Sequence, residues 1–339
     1  MARRKNVKLS DIAEKLGISV VTVSKGMANK EGVSAELKEK IRLAAVELGY
    51  NWKPSEKRVK TSINKTVGVV IPARFMKETN SFYWNMYNYV AAELMKYGYY
   101  CLMELLSPQG ELDIRMPSMV ITKKVDAVIV LGQVSDAYVS ELNNRTLPIV
   151  FLDFYNAFLN TDSVVSDSFY DMFLLTNYLI SQGHKDIKFV GTFKSTSSIQ
   201  DRFLGFMKAM LQNNLPVSLD DVIDDRDDDS NFIPLELPEK MPTAFVCNAD
   251  STAHILIKAL KEKGYSVPED ISVVGFDNYL GPDYENLDLT TSAVDSMEMA
   301  KSAVEIILAK LEGRSYKVGR TVIGGKIILR GSVKSLKEN

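Results

Sequence analysis

The stretch LSDIAEKLGISVVTVSKGMAN, residues 9–29, decides how the N-terminal part of this chain folds. Apolar residues from Ile12 to Leu16 repeat at helical spacing and form one face. Gly17 ends that helix, because a residue without a Cβ atom enters the left-handed conformation at low cost. Ser19 can cap a second helix through its hydroxyl group. The stretch therefore predicts two short helices joined by a tight turn, the arrangement in which the second helix lies in the DNA major groove.

The second predicted helix presents short and basic side chains that could reach a base edge or a phosphate: Ser19, Val20, Val21, Thr22, Ser24 and Lys25. The distribution of charge along the chain also favours DNA binding by the N-terminal part. Residues 1–65 hold 15 Lys and Arg against 7 Asp and Glu, whereas the whole chain holds 41 against 43. A basic module on an acidic remainder is typical of a DNA-binding head attached to a separate body. An ordinary helical hairpin, the alternative, explains neither observation.

Composition and motif content argue against several other classes of protein. No apolar run approaches the ~20 residues of a membrane-spanning helix, and no apolar stretch follows the basic N-terminus, so we expect a cytoplasmic protein without a membrane partner. Cys101 and Cys247 are far apart and the two histidines have no neighbouring cluster, which predicts buried thiols and no metal site. No phosphate-binding glycine loop or nucleophile elbow is present, so we expect no cofactor and no enzymatic activity. The acidic run 220–229 lacks the spacing of a calcium loop and should be a solvated strand end and loop.

Beyond a polar, basic linker at 51–65, short β-branched runs alternate with amphipathic helices. The predicted strands are 66–72, 100–106, 126–132, 148–154, 187–192, 244–250 and 271–277, and the clearest helices are about 82–97, 169–182 and 296–312. Such alternation produces parallel sheets covered on both faces, and two successive sets predict two doubly wound α/β lobes. Ligands of these sheets bind beyond the carboxyl ends of the strands. We therefore expect Phe75, Asp153, Asp250 and Asp277 at the rim of one cleft.

The residues 7–50, VKLSDIAEKLGISVVTVSKGMANKEGVSAELKEKIRLAAVELGY, resemble the DNA-binding head of the lactose/galactose repressor family of bacterial transcription regulators. Later motifs resemble the effector-binding core of that family: VVSDS (164–168), QGHKDIKFVG (182–191), DRFLGF (201–206), CNADSTA (247–253) and VPEDISVVGFDN (267–278). The resemblance implies a helix-turn-helix head at 1–50, a hinge at 51–65 and a type I periplasmic-binding-protein-like body at 66–339. Lobe one would comprise about 66–161 plus 291–320, and lobe two about 162–290 plus 321–339.

The resemblance also implies which residues bind the effector. Arg202 matches an arginine that reaches into the cleft, where its planar fork suits paired hydroxyls or a carboxylate. Asp277 matches an aspartate that accepts hydrogen bonds from sugar hydroxyls or a base edge, and Ser198 matches a position in the ligand-binding loop. Asp153 is a similar but less specific candidate. Phe75 can either stack on a ligand ring or fill the core.

Two positions depart from the family pattern. The asparagine of the family's Asn-Asp pair is displaced to Asn248, so Asp250 is as well explained by capping the following helix. In the hinge, Glu56 falls where a small alanine is expected and Val59 where a leucine wedge is expected. A carboxylate facing phosphates is unfavourable, and an inserted wedge must offset the unstacking of a base step. A flexible basic tether is therefore an equal alternative to a hinge helix that folds on DNA.

Taken together, these features predict a homodimeric repressor that binds a palindromic operator and is controlled by a small ligand, with a carbohydrate as the expected effector. Val20 and Val21 match the positions that choose the operator and should contact thymine methyl groups, while Lys25 can reach phosphate or guanine. A purine or nucleoside effector is the alternative within this class. A sugar-binding protein without a regulatory role and an α/β enzyme are the alternatives from other classes.

Overall fold

The computed structural model describes residues 9–27, 32–48, 64–76, 82–156, 159, 161–219, 222–227, 230–279 and 288–337. The hinge positions 51–63, with Glu56 and Val59, lie outside these ranges. The chain divides into two compact units, Met1–Ser62 and Ile63–Asn339, each treated by itself below. Within the described ranges, no helix combines the length and the apolar character needed to cross a membrane.

The first unit is built from three helices, α1 (Leu9–Leu16), α2 (Val20–Met27) and α3 (Ala35–Leu48). Gly17 has φ +62°, as the turn predicts, and the Thr22 backbone N–H donates to Ser19 Oγ at 3.0 Å, so Ser19 caps α2. The helices enclose a small core that includes Ile12, Val23 and Ile41, all fully buried. Burial of these apolar faces stabilises helices that are too short to form in isolation.

The second unit contains twelve strands and eight helices in the part of the chain that the structure describes. The strands are β1 (Thr66–Pro72), β2 (Tyr100–Leu106), β3 (Ala127–Leu131), β4 (Ile149–Leu152), β5 (Ser163–Ser166), β6 (Ile187–Val190), β7 (Val222–Ile223), β8 (Ala244–Cys247), β9 (Ser272–Asp277), β10 (Thr290–Ala293), β11 (Arg320–Ile323) and β12 (Lys326–Ile328). The helices are α4 (Phe82–Lys96), α5 (Pro108–Leu112), α6 (Ser118–Ile121), α7 (Asp136–Asn143), α8 (Ser168–Ser181), α9 (Ser197–Gln212), α10 (Asp250–Glu262) and α11 (Ser296–Glu312).

These strands form two six-stranded sheets, which confirms the two predicted α/β lobes. The first sheet has the order β11-β5-β4-β3-β1-β2 and is parallel throughout. Helices α4 and α11 cover one face of it, and α6 and α7 cover the other. The second sheet has the order β12-β10-β9-β8-β6-β7, with only β12 antiparallel to its neighbour. Helices α8 and α9 cover one of its faces and α10 the other.

The chain passes between the lobes three times, at β5–α8, β10–α11 and β11–β12. These passages follow Ser166, Ala293 and Ile323, a few residues beyond the positions near 161, 291 and 320 expected from the sequence. The difference arises because β5 and β11 pair with each other at the edge of the first sheet, while β10 and β12 pair in the second. The buried Asp171 carboxylate joins two passages, accepting from Ser292 Oγ at 3.1 Å and from the Gly325 N–H at 3.0 Å.

Candidate effector site and DNA-binding helix

A cavity of about 290 Å³ lies at the carboxyl ends of the strands of both sheets. That volume is at the lower end of the range of small-molecule sites. All five effector-binding residues expected from the sequence line it: Phe75, Asp153, Ser198, Arg202 and Asp277. Further residues that line the cavity include Arg74, Tyr83, Arg226, Phe232, Asn248 and Asp250. The structure thus brings together every candidate from both lobes.

Arg202 enters the cavity from the first turns of α9, whose N-terminus is capped by Thr196. Its side chain is buried, with Nη1 donating to the Asn248 carbonyl at 2.7 Å and Nη2 lying 3.0 Å from Asp277 Oδ1. The guanidinium also lies 4.0 Å above the ring centroid of Phe276. These contacts fix the planar fork in one orientation, as recognition of paired oxygen atoms requires.

The two aspartates at the carboxyl ends of β4 and β9 have unusual backbone conformations. Asp153 has φ +67° and Asp277 has φ +101°, a region that residues with a Cβ atom rarely adopt. Such conformations cost of order 1–3 kcal/mol and concentrate at ligand sites, where the surrounding structure enforces them. At Asp153 the constraint includes the Tyr83 hydroxyl, which donates to Oδ2 at 2.8 Å.

Burial changes the protonation of these carboxyl groups. It raises the pKa of Asp153 to about 6, although nearby Arg202 and the Tyr83 hydroxyl both favour the ionised form. The pKa of Asp277 is also raised by burial, with the Arg202 guanidinium opposing the shift. Burial raises the pKa of Asp250 well above its usual range, and the nearby charge of Asp277 adds to the shift. Titratable groups with raised pKa values in a cleft are typical of functional sites.

Asp250 does not cap the helix that follows it, contrary to the capping alternative. Helix α10 begins at Asp250, and its N-cap residue Ala249 makes no capping bond through its side chain. The Asp250 carboxylate instead accepts from Thr291 Oγ1 at 2.7 Å and from the Tyr279 N–H at 3.0 Å. It is held there because its neighbour Gly275 has no Cβ, which would lie 2.2 Å from Asp250 Oδ1.

Aromatic side chains form an apolar part of the wall. Phe75 stacks on Tyr83 with ring centroids 4.5 Å apart, and it also packs against the core of the first lobe. Phe75 both packs against the core and lines the cavity, so the two roles expected for it are compatible. Tyr83, which lies in the first turn of α4 and lines the cavity beside Phe75, was not identified from the sequence.

Arg226 and Phe232 reach the cavity from the segment after β7, which the sequence did not identify. Arg226 pairs with Asp225, with Nη2 at 2.7 Å from Oδ2. Asp225 is buried, and although burial acts to raise its pKa, the Arg226 contact outweighs it and lowers the pKa to about 2. Asp225 Oδ2 also accepts from Asn248 Nδ2 at 2.7 Å and from Thr252 Oγ1 at 2.6 Å. The expectation of a solvated acidic loop is wrong at this residue.

Helix α2 displays the residues expected to contact DNA. Val20 and Val21 are 46% and 65% exposed, which is unusual for valine in a folded module and leaves both methyl groups accessible. Ser24 and Lys25 are exposed beside them. Ser19 Oγ lies 2.8 Å from Thr22 Oγ1 and also caps the helix, so that hydroxyl pair is already hydrogen-bonded within the head.

Comparison with known proteins identifies both units. The family described as "Bacterial regulatory proteins, lacI family" matches residues 8–52, and the family described as "Periplasmic binding protein-like domain" matches residues 176–333. The head is a lacI-family DNA-binding domain. The chain is a DNA-binding transcription regulator in which a helix-turn-helix head precedes a periplasmic-binding-protein-like body.

Two bacterial repressors match nearly the whole length of this regulator. It is 28% identical to the HTH-type transcriptional repressor PurR of Actinobacillus pleuropneumoniae serotype 3, covering 97% of this chain and 99% of the relative. It is 27% identical to the HTH-type transcriptional repressor CytR of Escherichia coli K12, covering 97% and 96%. Among solved structures, the CelR–cellobiose complex gives a TM-score of 0.69 at 19% identity, covering 96% of this chain and 99% of that one. The lac repressor dimer bound to operator and an anti-inducer gives 0.65 at 20% identity, covering 97% and 100%.

Proposed function

We propose that this regulator is a repressor that binds palindromic operator DNA as a homodimer, and that a carbohydrate in the body cavity sets its operator affinity. The observation that carries the proposal is the single cavity in which the Arg202–Asp277 pair of one lobe meets Asp153 and Tyr83 of the other. Carboxylates accept hydrogen bonds from sugar hydroxyls, and a guanidinium group donates hydrogen bonds to the hydroxyl oxygens. An aromatic ring can pack on the apolar face of a sugar ring. The cellobiose-bound neighbour supports this choice.

An effector that touches both lobes would stabilise one arrangement of them. Two contacts between the lobes already exist beside the cavity. Gln133 Oε1 of the first lobe accepts from the Ser197 N–H of the second at 2.6 Å, and the Tyr155 hydroxyl donates to Asp201 Oδ1 at 3.0 Å. A ligand shifts operator affinity only as far as it binds the two arrangements differently. We therefore assign the regulatory change to residues that contact the ligand from opposite lobes.

On the DNA side, α2 would enter the major groove with Val20 and Val21 against thymine methyl groups and Lys25 on phosphate or guanine. A homodimer is supported by the edge strand β2 and its surroundings, which expose large apolar side chains: Met95, Tyr97, Tyr100, Leu102, Leu105 and Leu112. Exposed apolar surface of this kind on an edge strand is typical of an interface. Binding to chromosomal operators would place the protein in the cytoplasm.

A purine or nucleoside is the second candidate effector. The Phe75–Tyr83 stack, with its rings 22° from parallel, offers a flat face to a planar base. A hydrogen-bonding pair such as Arg202 and Asp277 could then read the base edge. The same experiment separates the two classes of ligand.

The test is a thermal-denaturation screen of the full-length protein against sugars, sugar phosphates, nucleosides and nucleobases. A ligand at about one hundred times its Kd adds about 2.7 kcal/mol to stability. We expect a sugar to raise Tm, Arg202→Ala to abolish the rise, and the same sugar to change operator affinity in fluorescence anisotropy. Arg145→Ala is the matched control, because Arg145 is an exposed arginine paired only with Glu141. A rise with nucleosides alone would favour the second candidate, and no rise with any compound would refute a small-molecule effector of either class.

A further inference from the structure

Among the described residues, the effector cavity is lined by arginines that are each paired with a carboxylate and by two aspartates that form no ion pair. Each of its three arginines is already paired with a carboxylate: Arg74 with Glu111 at 2.5 Å, Arg202 with Asp277 at 3.0 Å and Arg226 with Asp225 at 2.7 Å. Asp153 and Asp250 also line the cavity, and within the described residues neither forms an ion pair with a lysine or arginine. Three arginines and three aspartates of the described residues line the cavity. Because Glu111 and Asp225, outside the lining, pair with two of the arginines, Asp153 and Asp250 are left without an ion-pair partner among these residues.

Asp153 and Asp250 come from opposite lobes and accept hydrogen bonds from neutral donors. The partner of Asp153 is the Tyr83 hydroxyl, and those of Asp250 are the Thr291 hydroxyl and the Tyr279 N–H. Both carboxyl groups are almost fully buried, at 5% and 3% exposure. Burial raises the pKa of both groups, although the charge of Arg202 favours ionisation of Asp153 and that of Arg330 favours ionisation of Asp250. An anionic ligand would oppose their ionisation further, whereas hydroxyl or ammonium donors would stabilise it.

Within the described residues, the arginines of this cavity are paired with carboxylates, and part of the helix N-termini beside it is occupied. A phosphate in a protein is held by unpaired arginines or by the free N–H groups of a helix N-terminus. Two helix N-termini border the cavity, those of α9 and α10. In α9 the Ser197 N–H already donates to Gln133 Oε1, and in α10 the first turn contains the Asp250 carboxyl group itself.

We propose that Asp153 and Asp250 make this cavity selective for uncharged or amine-bearing effectors and exclude their phosphorylated forms. The inference rests on the proposed function, because it concerns the same effector site. An ammonium group in the cavity would be attracted both by the two carboxylates and by the aromatic faces of Phe75 and Tyr83. A phosphate monoester would instead place a further negative group beside two carboxyl groups that form no ion pair with a described lysine or arginine.

The test is isothermal titration calorimetry of the full-length protein with matched compounds: D-glucose, D-glucosamine and D-glucose 6-phosphate, D-ribose and D-ribose 5-phosphate, and adenosine and adenosine monophosphate. For each group of matched compounds that binds, we expect the unphosphorylated compound, or its amine derivative, to bind at least tenfold more tightly than the phosphorylated compound. Asp250→Asn and Asp153→Asn should each reduce that ratio several-fold. Asp186→Asn is the matched control, since Asp186 is exposed and precedes β6 at the opposite end of the sheet, and it should leave the ratio unchanged.

The outcomes separate this inference from the proposed function. A phosphorylated compound that binds as tightly as its parent would overturn the selectivity but leave the effector site intact. A tenfold preference that both substitutions leave unchanged would overturn the assignment to Asp153 and Asp250. Failure of every compound to bind would overturn the effector site and the selectivity together. Two independent substitutions, one in each lobe, keep the test decisive if one variant does not fold.

Discussion

The buried Asp225 allows a stability prediction whose size follows from the structure. Its pKa is lowered to about 2, against 3.8 for the unperturbed group. A folded-state pKa below the unfolded value means stabilisation that is fully present above about pH 4 and is lost as pH falls through about 2. At about 1.36 kcal/mol per pKa unit, the shift corresponds to about 2 kcal/mol at neutral pH. Removing one partner of a buried ion pair costs more, about 3–5 kcal/mol.

We therefore expect Asp225→Asn to lower the free energy of unfolding of the body by about 3 kcal/mol at pH 7. Asp225 Oδ2 accepts from Asn248 and Thr252, and Oδ1 accepts from the Thr192 N–H and Arg226 Nε. An asparagine amide would therefore turn its NH2 group toward donors in either orientation. Urea denaturation followed by circular dichroism measures the change. The neighbouring Asp224→Asn is the matched control, because Asp224 is exposed and belongs to the same acidic run. A loss below about 1 kcal/mol, or an equal loss in both variants, would refute the reasoning.

Three further predictions concern the effector, the second lobe and the operator. If a sugar hydroxyl donates to ionised Asp153, whose pKa is about 6, effector affinity measured by calorimetry should fall about tenfold from pH 7 to pH 5, and Asp153→Asn should abolish that dependence. Gly205→Ala should destabilise the body by about 1–3 kcal/mol in urea denaturation, since its Cβ would lie 2.1 Å from the Phe169 carbonyl oxygen; an unchanged midpoint would contradict this. Val20→Ala and Val21→Ala should weaken discrimination at A·T pairs in operator selection, and unaltered preference at every base pair would contradict direct readout.

The head and the alternation of the body could be predicted because their signals are local. Gly17 and Ser19 mark the turn and the cap within three residues, and both have the predicted roles in the structure. Helix α11 has the bounds 296–312 expected from its apolar periodicity and from Gly313, which ends it at φ +66°. Short helices such as α6, with only four residues, gave no periodic signal that could reveal them.

The site was only partly predictable, because burial depends on partners that are distant in the sequence. Asp225 lies in an acidic run that looks solvated, yet its hydrogen-bond partners Thr192, Thr252 and Asn248 are 33, 27 and 23 residues away. Arg202 was found through the family resemblance, whereas Asp277 was also predicted from its place at the carboxyl end of a strand. The strained backbones of Asp153 and Asp277 had no sequence signal either, since positive φ values at non-glycine residues arise from tertiary contacts.

The division of the site between the lobes also determines which residues can transmit a signal. Arg202 is fixed by Asp277 and the Asn248 carbonyl, which belong to the second lobe, as Arg202 does. Asp153 is fixed by Tyr83, and both of these residues belong to the first lobe. A contact to one lobe strengthens binding in every arrangement and shifts no population, because only differential affinity moves the equilibrium. If the cavity holds the effector as proposed, we expect regulation to require a ligand that engages Arg202 and Asp153 at once. A compound that reaches only one of them should bind without changing operator affinity, which makes such a compound a competitive antagonist of the natural effector.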